Sequence, residues 1–447
     1  MYCVKKFERV YLFLTALCLA ELFGHFVASH GEYERYFFWK DEADTGMDFV
    51  NSLAETVDGK SYSSYHSVYP PLVNAYFYIQ QLSLPDEVRT AIPDTHEAVV
   101  DLRLTGSDLR LHQSVLLLLI LHSIISVLFV FCVVVYKFRG CGAPAALSLG
   151  AAAVFSYGSL YAIERGNIVL LATGFLMVFL FGYDSDDRRI RFIAYSGLVV
   201  SACIKLYPAL FALMLFDGRK QGKRLLIPLS GMAFSGAAVS ALFTHPFGGI
   251  KAIPVFLKDL FCFNSGSCTD LYSRYGMRGI VEHILTELYK HLGIVIPEPG
   301  RIARLALIIS VSALMFALYS HFSYGDDRYQ AAFDIALIAV LFQAQSSDYT
   351  LCLFIPVILM LILEDPHISF RSVTYFVILL ILVLPYYTHI TSDSINLVVH
   401  HVDIVQLTLL VSVGFEFISA CLETYDHLPH DHNHRHFIPP RPAHLLN

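Results

Sequence analysis

Long apolar stretches separated by short polar breaks dominate the chain. Runs near the ~20 residues that cross a bilayer's hydrocarbon core occupy roughly 10–28, 111–136, 142–161, 167–183, 224–243, 302–320, 329–344, 349–363, 371–388 and 404–422. They predict helices, because a segment in lipid must pair its own backbone groups. A further stretch, Phe192 to Phe216, is interrupted by Lys205 in Ser201-Ala-Cys-Ile-Lys-Leu-Tyr-Pro208. An ammonium in hydrocarbon costs between ~3 and ~17 kcal/mol unless it reaches water or an anion. Lys205 therefore reads either as an anion-binding residue or as a side chain snorkelling to the interface. Pro208 breaks the helix beside it.

Basic loops give the orientation. Lys5, Lys6 and Arg9 place the amino terminus in the cytoplasm. The first run then reads as an uncleaved anchor, although Ala28-Ser29 resembles a signal-cleavage site. Residues 29–110 fall outside, Lys137 and Arg139 inside, and Arg188, Arg189 and Arg191 inside again. A single crossing by 192–216 would put the basic loop Arg219 to Arg224 outside. Two short helices folding back, with Lys205 to Pro208 near the outer turn, restore the parity. The expected fold is an all-α polytopic membrane protein with about ten transmembrane helices plus this re-entrant pair. One membrane domain covers 1–425, with two larger external loops at 29–110 and 244–301, and a His-rich cytoplasmic tail at 426–447 reads as disordered.

Composition agrees with that class. The 447 residues are 55% hydrophobic and 15% charged, which excludes an ordinary soluble domain. The net charge of −7 forms no basic stripe, so nucleic acid is not an expected partner. No Gly-rich phosphate loop, zinc-type cysteine set or Ser-His-Asp order stands out, and neither a cofactor nor a metal is expected. Asp184-Ser-Asp-Asp187 has a metal-binding look but lies in a cytoplasmic loop beside arginines, where it reads as a solvated charge run. Cys262 and Cys268 are disulfide candidates if their loop is external. The histidines at 427, 430, 432, 434 and 436 read as a polar tail or a metal-binding tract.

The first external loop carries the candidate chemistry. Asp41, Asp44 and Asp48 precede an amphipathic helix whose apolar positions are Phe49, Val50, Leu53, Ala54 and Val57. Asn51, Ser52, Glu55 and Asp58 are expected to face away, and the helix to lie in the membrane interface. Asp48 is either a reactive carboxylate or, with Thr45 three residues before it, part of a capping box. Tyrosines 62, 65, 69, 76 and 78 suggest sugar stacking or an aromatic belt, the belt being the default for Tyr76 and Tyr78. Pro70-Pro71 predicts an extended entry and a sharp helix start.

Four pieces in order carry a resemblance: Met47-Asp48-Phe49 with Tyr62 and Val68-Tyr-Pro-Pro-Leu72, Glu164-Arg-Gly-Asn167, Ile204-Lys-Leu-Tyr-Pro208, and Ser346-Ser-Asp-Tyr349 with Pro356. From about residue 10 to 365 the chain resembles glycosyltransferase family 87, of the GT-C superfamily. The resemblance implies inverting transfer of a sugar, usually mannose, from a polyprenyl-phosphate donor to a lipid or glycan acceptor at the external membrane face. It makes Asp48 the catalytic base, with Asp44 and Asp41 as competitors. Arg165, Lys205 and Asn167 would hold the donor phosphate. Asp44, Tyr62, Tyr69, Tyr207, Gln345 and Ser347 would line the substrate site, among surrounding membrane lipids. The chain has Gly166-Asn167 where many relatives have Gly-Gln, and it lacks their histidine near Tyr349. A transporter or flippase of lipid-linked saccharides is the competing reading; it explains a membrane lysine but not the carboxylate-rich first loop.

Overall fold

The structure is a computed structural model that describes residues 6–28, 30, 45–91, 110, 112–216, 226–264, 275–294, 298–324, 327–343, 346–364, 369–385 and 401–427. Asp41, Asp44, Gln345, Cys268 and the tail beyond 427 lie outside them. Among the described residues every regular element is helical. The first half comprises α1 (Lys6–Ala28), α2 (Met47–Ala54), α3 (Pro71–Leu82), α4 (Gln113–Phe138), α5 (Ala143–Val154), α6 (Tyr157–Arg165), α7 (Val169–Leu180) and α8 (Arg188–Ile204). The second comprises α9 (Leu226–Phe243), α10 (Ala252–Asn264), α11 (Met277–Leu292), α12 (Pro299–Ser323), α13 (Arg328–Phe342), α14 (Phe354–Glu364), α15 (Phe370–Val383) and α16 (His401–Asp426).

The bundle has a closed centre and an apolar exterior. In α13 every residue from Tyr329 to Leu341 is buried, and in α14 every residue from Phe354 to Ile362. A helix apolar on all sides, as α14 is from Phe354 to Ile362 and α13 is apart from Gln330 and Asp334, belongs inside a bundle. The outer helices instead expose large apolar side chains, including Phe23 at 68%, Ile308 at 63% and Leu407 at 64%. Surface of that kind on long helices is suited to lipid.

Four helices are long and apolar enough to cross alone among the described residues: Lys6–Ala28, Gln113–Cys141, Pro299–Ser323 and Val402–Asp426. The expected span at 142–161 is broken: α5 and α6 are bent by 56°. The cause is Ser156, which turns extended and accepts a hydrogen bond from the Ser159 amide, capping α6. The expected span at 349–363 opens as a tight 3-10 segment, Asp348–Leu353, before α14 begins.

Two local expectations hold. Pro70 is extended and Pro71 opens α3. The helix carrying Lys205 stops there, with Lys205 at φ −136, ψ 132, and a 3-10 segment runs from Tyr207 to Phe216. Pro208 has no N–H to donate to the Ile204 carbonyl, so the α-helix cannot continue through it.

The aspartates at 184–187 are only partly a solvated run. Asp184 pairs with Arg328, which also pairs with Glu364. Asp187 caps α8 by accepting from the Arg189 amide at 2.7 Å.

Candidate active site

The site begins with the way α6 ends. Gly166 stands at φ 64 and caps the helix in a left-handed turn, a conformation glycine adopts without steric cost. A Cβ there would also meet Phe49 Cβ at 2.6 Å and Leu119 Cδ1 at 2.7 Å. Glycine is thus required twice, by backbone shape and by the close approach of α2.

The segment before α2 is stitched to that helix end. The Gly46 amide donates to the Glu164 carbonyl at 2.8 Å, satisfying a carbonyl that the ending helix leaves open. The Thr45 hydroxyl donates to Glu164 Oε1 at 3.0 Å, and Arg110 Nη1 donates to the Thr45 carbonyl at 2.8 Å. The capping-box alternative is therefore corrected: Gly46 occupies the cap position without a side-chain cap, and Thr45 turns to Glu164.

This docking lays the first turn of α2 against the last turn of α6. Arg165 donates to Asp48 Oδ1 from Nε at 3.2 Å and from Nη2 at 2.7 Å. Asn167 donates from Nδ2 to Asp48 Oδ2 at 2.7 Å, while its own Oδ1 accepts from the Val169 amide at 2.9 Å. Both oxygens of Asp48 are held, and the side chains of Asp48 and Arg165 are 13% and 17% exposed. The pair is close to solvent yet substantially desolvated, a setting that strengthens charge-assisted bonds.

The apolar face of α2 does not lie in a membrane interface. Phe49, Val50, Leu53 and Ala54 are buried in the protein, with Phe49 edge-on to Phe77 and 5.5 Å from the His122 ring. Its polar face is also covered, contrary to the sequence expectation for Ser52 and Glu55. Ser52 is 1% exposed and donates to the Asp48 carbonyl at 2.6 Å. Glu55 Oε2 is sealed from solvent and accepts no hydrogen bond. Burial, with a smaller push from Asp48, raises the Glu55 carboxyl to about 7, against the opposing pull of Ser67 and Lys205.

Lys205 completes the cluster. Its Nζ lies 4.3 Å from the centre of the Tyr69 ring and 5.6 Å from that of Tyr349. The charges acting on it are Asp48 and Glu55. Lys205 is thus neither stranded in lipid nor snorkelling along an outer face. It feels the charges of Asp48 and Glu55 under an aromatic cover, where cation–π attraction adds to Coulomb attraction.

The remaining candidates take different positions. Tyr62 is 2% exposed, donates to the Tyr69 carbonyl at 2.9 Å, and packs edge-on against Phe247 and Phe256. It supports the loop that carries Tyr69. Tyr207 buries its hydroxyl beside Tyr349 and Cys352. Ser347 precedes the turn at Asp348, and its carbonyl accepts from the Thr350 amide at 2.8 Å. Tyr76 and Tyr78 are half-buried and make protein contacts, with the Tyr76 hydroxyl 2.9 Å from His122 Nδ1 and Tyr78 edge-on to Phe247.

Two participants were missed in the sequence. Asp348 is wholly buried and accepts from Tyr157 at 2.8 Å and Tyr275 at 2.7 Å, which fixes the turn presenting Tyr349. Glu55 is the second, since its helical position alone reads as solvent-facing. Its signal was present as a polar stripe, since Asp48, Ser52 and Glu55 are spaced by four and three and share one helix face.

The described residues thus bring a carboxylate, a guanidinium, an amide and an ammonium into one cluster, with Tyr69 and Tyr349 beside the ammonium. Such a set can accept a proton at one end and stabilise an anion at the other. None of the curated proteins compared with the chain matches it. Residues 111–356 match the model of glycosyltransferase family 87, and Arg165, Asn167, Lys205 and Ser347 fall within that match while Asp48 and Tyr69 precede it. The match covers more than half of the chain, which belongs to glycosyltransferase family 87 and is a glycosyltransferase.

Proposed function

We propose that the protein transfers a hexosyl unit, mannosyl by the family's habit, from a polyprenyl-phosphate donor to a lipid or glycan acceptor at the external membrane face. The observation that carries this reading is Asp48 held by Arg165 and Asn167 beside Lys205. In the proposed reaction Asp48 takes the proton of the acceptor hydroxyl as that oxygen attacks the anomeric carbon. The bond from that carbon to the donor phosphate breaks, and the phosphate leaves with the electron pair. Lys205 and Arg165 stabilise its growing charge, the guanidinium as a planar fork and the ammonium as a point charge.

Arg165 links the two halves of the reaction. It binds Asp48 through a single carboxylate oxygen. An arriving phosphate can therefore draw on the same guanidinium, which loosens its hold on the Asp48 carboxylate. Asn167 keeps the carboxylate aimed meanwhile. Tyr69, Tyr207, Tyr349 and Ser347 line the sugar side in this reading, with Asp44 and Gln345 as further expected contacts. About ten membrane crossings are proposed, with the breaks at Ser156 and Lys205 lining the cavity, as irregular backbone does at membrane depth. The carrier alternative has no specific observation in its favour.

The test is transfer from radiolabelled polyprenyl-phosphate mannose to a membrane-lipid extract by purified protein. Wild type is expected to form an α-linked product from a β-linked donor, and Asp48→Asn to lose about 10³-fold in rate. Retained anomeric configuration would refute the direct displacement. A fully active Asp48→Asn would remove Asp48 as the base.

A further inference from the structure

A second polar cluster lies inside the bundle, where α12, α13 and α16 meet. His321, Asp334 and Glu416 are 4%, 0% and 0% exposed. One ligand-type atom from each lies within 4.8 Å of the other two. Asp334 sits eight residues before Phe342, roughly 12 Å along α13 from the end that leads to the sugar site.

The hydrogen-bond arithmetic of this cluster does not close. His321 Nε2 faces Glu416 Oε2 at 3.1 Å and Asp334 Oδ2 at 3.3 Å. One ring nitrogen carries at most one hydrogen, so it cannot serve both carboxylates. Neither oxygen of Asp334 accepts a hydrogen bond, and Glu416 Oε1 accepts none. A wholly buried carboxylate without a donor is costly in a bundle interior.

The surroundings are arranged as those of a metal ligand set. His321 Nδ1 lies 3.3 Å from Glu423 Oε2 and 3.3 Å from Arg371 Nη2. Glu423 is itself paired with Arg371 and accepts from the Ser320 hydroxyl at 2.9 Å. Binding a metal through Nε2 requires the tautomer with the proton on Nδ1, which then faces Glu423 Oε2, while Arg371 keeps its own pairing with Glu423 instead of donating to the ring. That is the carboxylate–histidine arrangement that orients a metal-binding imidazole. The Tyr375 hydroxyl donates to Glu416 Oε2 at 2.8 Å and steadies the second carboxylate. Around a neutral imidazole, three carboxylates face one guanidinium, so the cluster is short of positive charge.

We propose that His321, Asp334 and Glu416 bind a divalent first-row transition cation of the Zn2+ class, which clamps α12, α13 and α16 together. One nitrogen with two carboxylate oxygens suits Zn2+ or Mn2+, whereas Ca2+ and Mg2+ take shells made of oxygen. The site is separate from Asp48 and does not depend on the sugar-transfer reading.

The experiment measures zinc in the full-length protein purified in detergent, after incubation with Zn2+ and removal of the excess. The tail histidines at 427, 430, 432, 434 and 436 are common to wild type and variants, so the informative quantity is a difference. Wild type is expected to hold about one equivalent more than Asp334→Asn or Glu416→Gln. X-ray absorption at the zinc edge of wild type should show one imidazole among oxygen ligands, and it decides the matter alone if both variants misfold. Equal zinc in all three proteins would overturn the proposal. So would a shell of several imidazoles, which would place the ion on the tail, or a wild type that binds none, which would mean that protons balance the cluster.

Discussion

Asp48 and Asp334 are both carboxylates drawn into a helical membrane bundle, and they are stabilised in opposite ways. Asp48 receives three hydrogen bonds from Arg165 and Asn167, so its charge is matched within the protein. Asp334 accepts none and shares its one nearby imidazole with Glu416. Asp48 stands where α2 meets the end of α6 at a glycine turn, with some exposure left. Asp334 lies within a helix buried from Tyr329 to Leu341. The difference separates two uses of a buried charge. A carboxylate matched by a cation that can be shared is suited to turnover, because an incoming anion can redistribute the pairing. A carboxylate without a donor in a closed interior is suited to retaining a cation.

Substitutions can sharpen that contrast. Lys205→Met should have the largest effect of those in the cation half, lowering transfer about 10²–10³-fold, as loss of a transition-state charge stabiliser does. The loss should appear in donor-dependent kcat/KM, with unfolding little changed. An unaffected rate would move the phosphate away from Lys205.

Gly166→Ala should come next. The new Cβ meets Phe49 in a left-handed turn, and strain of this kind costs about 1–3 kcal/mol. Displacing α2 from α6 should lower transfer about 10²-fold even in molecules that remain folded, because the reacting groups lose their alignment. Thermal unfolding together with rate per folded molecule separates the two effects. Normal activity in the folded fraction would mean that the turn is not needed to position Asp48.

Glu55→Gln should have the smallest effect, and one with a pH signature. Because the Glu55 carboxyl is raised to about 7, it is neutral below that pH and charged above it. When charged it offsets Lys205, so the wild-type KM for donor should rise a few-fold as pH climbs through about 7. The variant should show no such rise. Stability has the same sign: between the ordinary carboxylate range and about 7 the folded state binds the extra proton, so wild-type stability falls with rising pH and then levels off. Glu55→Gln should flatten that slope as well.

The sequence displayed some of this architecture and hid the rest for identifiable reasons. Apolar runs marked most of the helices, because burial and lipid exposure both demand apolar side chains over long stretches. The breaks at Lys205 and Pro71 were legible because proline acts locally. The bend at Ser156 was not, since one small polar residue in an apolar run gives little warning. Lys205 and Asp48 stand out from the residues themselves, Arg165 and Asn167 come from the resemblance, and the fold brings all four together. Glu55 was misassigned because amphipathicity alone cannot say whether the polar face of a short helix meets water or a polar pocket. Asp348 and the His321 cluster depend on partners far apart in the chain, Tyr157 at 191 residues from Asp348 and Glu416 at 95 from His321, and no local pattern predicts such pairings.

The proposed site divides its labour, with chemistry at Asp48 and phosphate charge at Lys205 and Arg165. One folded sample of Asp48→Asn can test it, by donor binding and single-turnover transfer from polyprenyl-phosphate mannose measured side by side with wild type. The expected result is donor binding at least as tight as in wild type, since a competing negative charge is gone from beside Arg165, with transfer about 10³-fold slower. Transfer at the wild-type rate, or loss of donor binding together with transfer, would contradict it.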